Sequence, residues 1–236
     1  MADDKSMIAA QVLSSIAHDL RSPLNAVIGF SKIMIKGLDG PLTDMQLADL
    51  EAIHTNGQMM LDMVNEIVDL GKLEAGTLVP GQSEVYLTSV IEKVTTQAES
   101  LLKNEPVSIN SNTGDPLISI RAEEMHIRQL ILDLILITAH LVQTGAVTLS
   151  VESDRHLVSV SVLGQAQDGL SLDAQTIFEA YRSGGASPEQ RVDLYSLKLL
   201  ACERRTWLYH GEFWGEQSAD SAIAFGFKLP TSRSQI

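Results

Sequence analysis

Residues 6–36 read SMIAAQVLSSIAHDLRSPLNAVIGFSKIMIK, and the spacing of their apolar positions decides the fold of the first part of the chain. Leu13, Ile16, Leu20, Val27, Phe30 and Met34 alternate at intervals of three and four, with Pro23 in the remaining slot. That is the period of a helix with a coiled-coil-like seam. Gly37-Leu38-Asp39-Gly40-Pro41 interrupts it, and Thr43 with Gln46 forms a capping box for a second helix over Asp44–Glu74. Leu50, Ile53, Met60, Val64 and Ile67 repeat the seam there, with Gly57 in the open slot. The two helices are expected to form an antiparallel hairpin. One hairpin leaves apolar seam uncovered, so two copies pairing into a four-helix bundle, a homodimer, is the expected assembly.

At about 100° per residue the seam of the first helix clusters on one face, and His18 points nearly opposite, toward solvent. A neutral imidazole in reach of solvent can attack a phosphoryl group, and its unperturbed pKa of about 6.5 leaves much of it neutral at cellular pH. Asp19 beside it is placed for acid/base or orienting work, Arg21 can pair with phosphate oxygens, and Ser22 follows one turn along. Pro23 inside a helix removes a backbone hydrogen bond at a cost of about 3 kcal/mol where nothing compensates. A kink one turn after His18 would let the bundle flex as phosphate donors and acceptors dock.

The segment Ile16-Ala17-His18-Asp19-Leu20-Arg21-Ser22-Pro23-Leu24-Asn25 resembles the phosphoacceptor box of sensor histidine kinases: histidine, acid, any residue, arginine, small residue, proline, leucine. Ile67-Val68-Asp69-Leu70-Gly71-Lys72-Leu73-Glu74-Ala75-Gly76 resembles the end of that family's dimerisation helix and its exit to the catalytic domain. The resemblance implies that His18 carries phosphate, that Asp19 assists its transfer, and that Ser22 stands where the family usually has Thr or Asn to help remove phosphate from the partner.

After the linker (77–82, within GTLVPG and its flank) the pattern changes. Residues 83–236 read as strand Glu84–Leu87, helix Ser89–Lys103, strands Val107–Asn110 and Leu117–Arg121, and helix Ala122–Val142. A hairpin of Ala146–Glu152 and Leu157–Val162 around Ser153-Asp154-Arg155 follows, then helix Leu194–Tyr209 and strands Glu212–Gly215 and Ala222–Lys228. The fold class is therefore α plus α/β: a helical hairpin domain (1–76) followed by an α/β sandwich resembling the family's ATP-binding domain.

The nucleotide motifs of that domain are altered. Arg128-Gln129-Leu130-Ile131-Leu132-Asp133-Leu134 resembles the start of the family's Asn box, but the magnesium-binding asparagine falls on Ile137, which offers no oxygen to a hard cation. Where the family has Asp-x-Gly-x-Gly, the register gives Gly164, Ala166 and Asp168, and sliding it to Asp168-Gly169 puts the carboxylate four residues late. Counting back from His210-Gly211-Glu212-Phe213-Trp214, the phosphate-loop glycines fall on Ser196 and Lys198, whose side chains keep backbone from phosphate. Were the site divergent but working, Lys198 would contact phosphate. Ser183–Pro188 stands where an ATP lid would be. Ile223-Ala224-Phe225-Gly226-Phe227-Lys228-Leu229-Pro230 still resembles the family's last strand.

Thirty acidic against seventeen basic residues give a net charge of −13, which repels nucleic-acid phosphates and anionic lipid and favours a protein partner. The single Cys202 excludes an intramolecular disulfide and a multi-cysteine metal site, and is expected to be buried or idle. His54, His126, His140, His156 and His210 lack paired metal spacing. Glu123-Glu124 complements a helix dipole. Met59, Met60 and Met63 are expected to fill core rather than form a docking face. An acidic N-terminus and the lack of an 18-residue apolar run point to a cytoplasmic chain without membrane insertion.

The expected function is phosphotransfer: His18 exchanges phosphoryl groups with an Asp of a response-regulator receiver domain. No cofactor is bound tightly, Mg²⁺ comes with the receiver, and ATP is not the direct donor. Two alternatives stay open, an autophosphorylating histidine kinase and a non-catalytic pseudokinase scaffold that binds response regulators.

Overall fold

The structure is a computed structural model that describes residues 2–38, 40–78, 80–113, 118–166, 194–217 and 222–232. It divides into two compact units, residues 1–78 and 79–236.

The first unit is the hairpin of α1 (Ala2–Ile35) and α2 (Asp44–Glu74). Helix α1 runs unbroken through the exposed Pro23 and ends where Gly37 takes φ +69°. There the Gly37 amide donates to the Met34 carbonyl at 2.8 Å and that of Leu38 to Ile33 at 3.4 Å, closing the last turn as a left-handed glycine permits. The capping box forms: the Gln46 amide donates to Thr43 Oγ1 (3.3 Å) and the Thr43 amide to Gln46 Oε1 (3.0 Å).

The centre of the face that α1 turns to α2 lies beside the apolar seam of the sequence, from which Leu13 and Val27 still reach α2. That centre is Ala10, Ala17, Leu24 and Ser31, spaced by seven and all buried, and α2 meets α1 at Gly57 and Gly71. A Cβ on Gly57 would lie 3.1 Å from Ile28 Cγ1, and one on Gly71 3.0 Å from Leu13 Cδ1. Small residues on both sides let the helices approach, and this narrow stripe is what hydrophobicity alone does not mark. Ile16, Leu20, Val27, Phe30 and Met34 of α1, with Ile53, Met60 and Ile67 of α2, remain exposed on the single chain. Met59 and Met60 are exposed and Met63 half-buried, so within the chain the methionines do not fill a core.

The second unit contains β1 (Ser83–Tyr86), α3 (Leu87–Leu101), β2 (Val107–Asn112), β3 (Ser119–Ala122), α4 (Glu124–Val142), β4 (Gly145–Ser153) and β5 (Leu157–Ala166), followed by α5 (Leu194–Leu208), β6 (Glu212–Gln217) and β7 (Ala222–Pro230). Strands β2-β4-β5-β7-β6 form one sheet in that order, β2 and β4 parallel and the other neighbours antiparallel, while β1 and β3 pair separately. Alternate residues of the central strands, among them Val147, Leu149, Val160, Val162, Phe225 and Phe227, are fully buried, and α4 packs against β4, β5 and β7 between α3 and α5. This is an α/β sandwich. Among the described residues α4 alone is long and apolar enough to cross a membrane; 67% of its apolar window is buried in the unit, as the central helix of a core.

Strand β5 continues past Val162 to Ala166, with Gly164 paired to Val147 on one side and Ile223 on the other. The expected strand ended at Val162; the ladder runs four residues further. Here a Cβ on Gly164 would meet Thr138 Cγ2 at 2.5 Å and Val142 Cγ1 at 2.6 Å. The glycine lets α4 close on the sheet. Asp168-Gly169 and Ser183–Pro188 lie outside the described residues.

Candidate functional site

The exposed surface of α1 carries the first candidate group. Taking the buried stripe through Ala17 as zero, position 21 lies about 40° round the helix, position 18 about 100° and position 22 about 140°. Residue 18 is thereby carried clear of α2, and 21 is left at its flank. The structure follows this order: the side chains of His18 and Asp19 are 85% and 81% exposed, Ser22 is exposed, and Arg21 is half-buried. His18 Nδ1 stands 3.5 Å from Asp19 Oδ1. With Nδ1 turned to the carboxylate, Nε2 is the ring nitrogen left for an incoming electrophile.

Arg21 is directed by a residue that sequence reading missed. Its Nε and Nη2 donate to Asn65 Oδ1 of α2, at 3.0 and 2.8 Å. Further along the hairpin the buried Ser31 donates to the Ile28 carbonyl (3.0 Å), and His54 Nδ1 lies 3.0 Å from Ser31 Oγ. His54 is thus a satisfied interhelical histidine. The signal for both residues was a polar side chain set among apolar positions of a packed helix.

The second candidate lies in the sandwich, at the altered nucleotide positions. Ile137 is fully buried among the core side chains. Lys198, at one phosphate-loop glycine position, extends its ammonium to Asp133, with Nζ 2.6 Å from Oδ1. Arg205 Nη1 reaches Asp133 Oδ2 at 3.2 Å, and Gln129 Nε2 donates to both carboxylate oxygens at 3.0 Å. All of Asp133, Lys198 and Arg205 are buried. Asp133 and Arg205 were also missed; the signal was a lone carboxylate inside the apolar run LILDLILI, which a core accepts only with charged partners. Ser196, at the other glycine position, is half-buried on the same helix. Gly164 is taken up in packing on α4. Where the resemblance aligns a magnesium ligand and a phosphate-loop glycine, the structure holds the hydrocarbon Ile137, which offers no oxygen to a hard cation, and a lysine whose ammonium is tied to Asp133.

Nearby, His126 Nδ1 lies 2.6 Å from the Tyr209 hydroxyl, to which the Glu123 amide donates at 3.2 Å. Burial pushes the Tyr209 phenol above its ordinary range. Cys202 is buried, its thiol 3.9 Å from the Leu130 carbonyl. Lys93 bonds Glu124 at 2.7 Å across α3 and α4 and holds that carboxyl below its usual value. Among the described residues no group of three or more His, Cys, Asp or Glu side chains gathers to hold a metal ion.

Residues 9–76 match the His Kinase A (phospho-acceptor) domain. Over 99% of its length the chain is 31% identical to the Non-motile and phage-resistance protein of Caulobacter vibrioides, covering 28% of that protein. It is 28% identical, over 98% of its length, to the circadian input-output histidine kinase CikA of Synechococcus elongatus, covering 31% of it. The chain therefore spans less than a third of these curated relatives. In fold it is similar to full-length ShkA in complex with AMPPNP (TM-score 0.69, 23% identity, 94% of this chain and 46% of that one). It is also similar to the histidine kinase ThkA in complex with the response regulator protein TrrA (TM-score 0.62, 18% identity, 99% and 65%). A phosphoacceptor hairpin carrying an exposed histidine, followed by a histidine-kinase-type sandwich, places this chain in the histidine-kinase family of two-component signalling.

Proposed function

We propose that this chain is a phosphotransfer protein of the histidine-kinase type: His18 takes a phosphoryl group from an aspartyl phosphate of a receiver domain, or from a separate kinase, and gives it to an Asp of another receiver. The observation that carries this reading is the exposed His18 ring with Nδ1 toward Asp19. In the forward step the Nε2 lone pair attacks phosphorus and the P–O bond to the aspartyl carboxylate breaks, its electron pair leaving with the carboxylate. Asp19 takes the Nδ1 proton as the phosphoimidazole forms. The return step reverses each change. The receiver's own Mg²⁺ stabilises charge on the moving group when it is bound there. A receiver partner is supported by ThkA, a protein of similar fold, having been seen with a response regulator.

ATP independence is supported by Ile137 and by the Lys198–Asp133 pair. The competing reading, an autophosphorylating kinase, is favoured by the match of nearly all of this chain to about a third of CikA, a histidine kinase. Homodimerisation through the hairpin is supported by the exposed apolar rows of α1 and α2, which a second copy would cover. Incubation with a phosphorylated receiver domain should place acid-labile phosphate on the wild type and none on His18→Gln. Equal labelling of the variant would remove His18 from the reaction.

A further inference from the structure

The Arg21–Asn65 contact assigns a second-helix residue to the phosphoryl site. A guanidinium has five N–H donors in a fixed plane. Two are spent on one oxygen of Asn65, and the others meet no partner among the described residues. The contact fixes the plane of the cation without neutralising it, because an amide carbonyl carries no net charge. Arg21 stands one helical turn from His18, three residues on, and such side chains are neighbours on a helix surface. A phosphoryl group brings roughly two negative charges and three acceptor oxygens, which a planar guanidinium can pair in bidentate fashion.

We propose that Asn65 is a positioning residue, holding the Arg21 guanidinium as an un-neutralised cation that receives the oxygens of the phosphoryl group on His18. This rests on His18 being the phosphoacceptor. It accounts for an asparagine where a carboxylate would bind Arg21 more strongly: an aspartate at this position would cancel the charge that the phosphate needs.

The test loads the full chain with phosphoramidate, in which imidazole nitrogen attacks phosphorus and the P–N bond to ammonia breaks. The His18→Ala variant identifies the His18 signal by ³¹P NMR. Three readouts are then compared in wild type, Asn65→Ala and Asn65→Asp: the midpoint of the phosphoryl group's second ionisation, the rate of transfer to a receiver domain, and Tm. An adjacent cation lowers that midpoint. It should rise in Asn65→Ala, rise further in Asn65→Asp, and transfer should slow severalfold in the same order. Asn65→Asp, with a charge-assisted bond to Arg21, should keep or raise Tm. A purely structural Asn65 would lower Tm in Asn65→Ala and leave the midpoint unmoved, and an unmoved midpoint in either variant overturns the proposal. Shifted midpoints in a protein whose wild type transfers nothing to receivers would support Asn65 and remove the phosphotransfer reading instead.

Discussion

Lys198 of helix α5 and Asp133 of helix α4, separated by 65 positions in the chain, meet at 2.6 Å inside the sandwich. The carboxylate it binds is fully buried and shared with Arg205 and Gln129. A carboxylate taken out of water this completely is held by its partners, and each partner by it.

Removing one member of that cluster should therefore cost far more than a surface ion pair. Asp133→Ala leaves two buried cations without their carboxylate and is expected to lower unfolding stability by about 3–5 kcal/mol, read from urea denaturation. Lys198→Gly, which restores glycine to the loop position, is expected to destabilise in the same direction and to gain no nucleotide binding by calorimetry while Ile137 remains.

Gly164 is expected to be intolerant of a single methyl. With Thr138 and Val142 at 2.5 and 2.6 Å from its would-be Cβ, Gly164→Ala must push α4 off β5, at about 1–3 kcal/mol. The midpoint of chemical denaturation checks it.

His210 takes φ +57° just after α5. This region suits glycine, and a side-chain-bearing residue there costs about 1–2 kcal/mol. His210→Gly is expected to raise Tm, and an unchanged or lowered value would mean the imidazole makes a compensating contact.

Tyr209 gives the sandwich an alkaline limit. Its folded-state pKa is raised by burial above the unfolded value of about 10. The neutral phenol's contribution is accordingly full below about pH 10 and is lost as pH rises through the folded pKa. Tyr209→Phe should flatten the stability profile above about pH 10 in denaturation measured across that range.

The exposed rows of the hairpin should set its oligomeric state. Ile16→Glu with Phe30→Glu alters residues that are exposed on one chain, so helicity should persist by circular dichroism while light scattering reports a fall from dimer to single-chain mass.

Much of this was legible in the sequence, and the reasons for what was not are physical. The hairpin showed in its three-four periodicity, and α2 begins at the Thr43 capping box because both box residues are local. The α/β order of the second unit was likewise carried by local alternation and turn residues such as Asp154, whose carboxylate caps the β4–β5 turn through the amides of His156 and Leu157. The interhelical stripe was hidden because three of its four members, Ala10, Ala17 and Ser31, are small and carry little hydrophobic signal, yet closeness is what they provide. Asn65 and Asp133 were marked locally as polar residues among apolar ones, but their partners were hidden because each pairing is long-range, 44 to 72 residues apart.

The donor of the His18 phosphate tests the central claim most directly. Purified chain would be incubated with radiolabelled ATP and Mg²⁺ and, separately, with a phosphorylated receiver domain, and acid-labile label at His18 compared. Label from the receiver and none from ATP is the expected result. Label from ATP would contradict the reading of Ile137, Gly164, Ser196 and Lys198, and label from neither would leave the chain as a non-catalytic partner of response regulators.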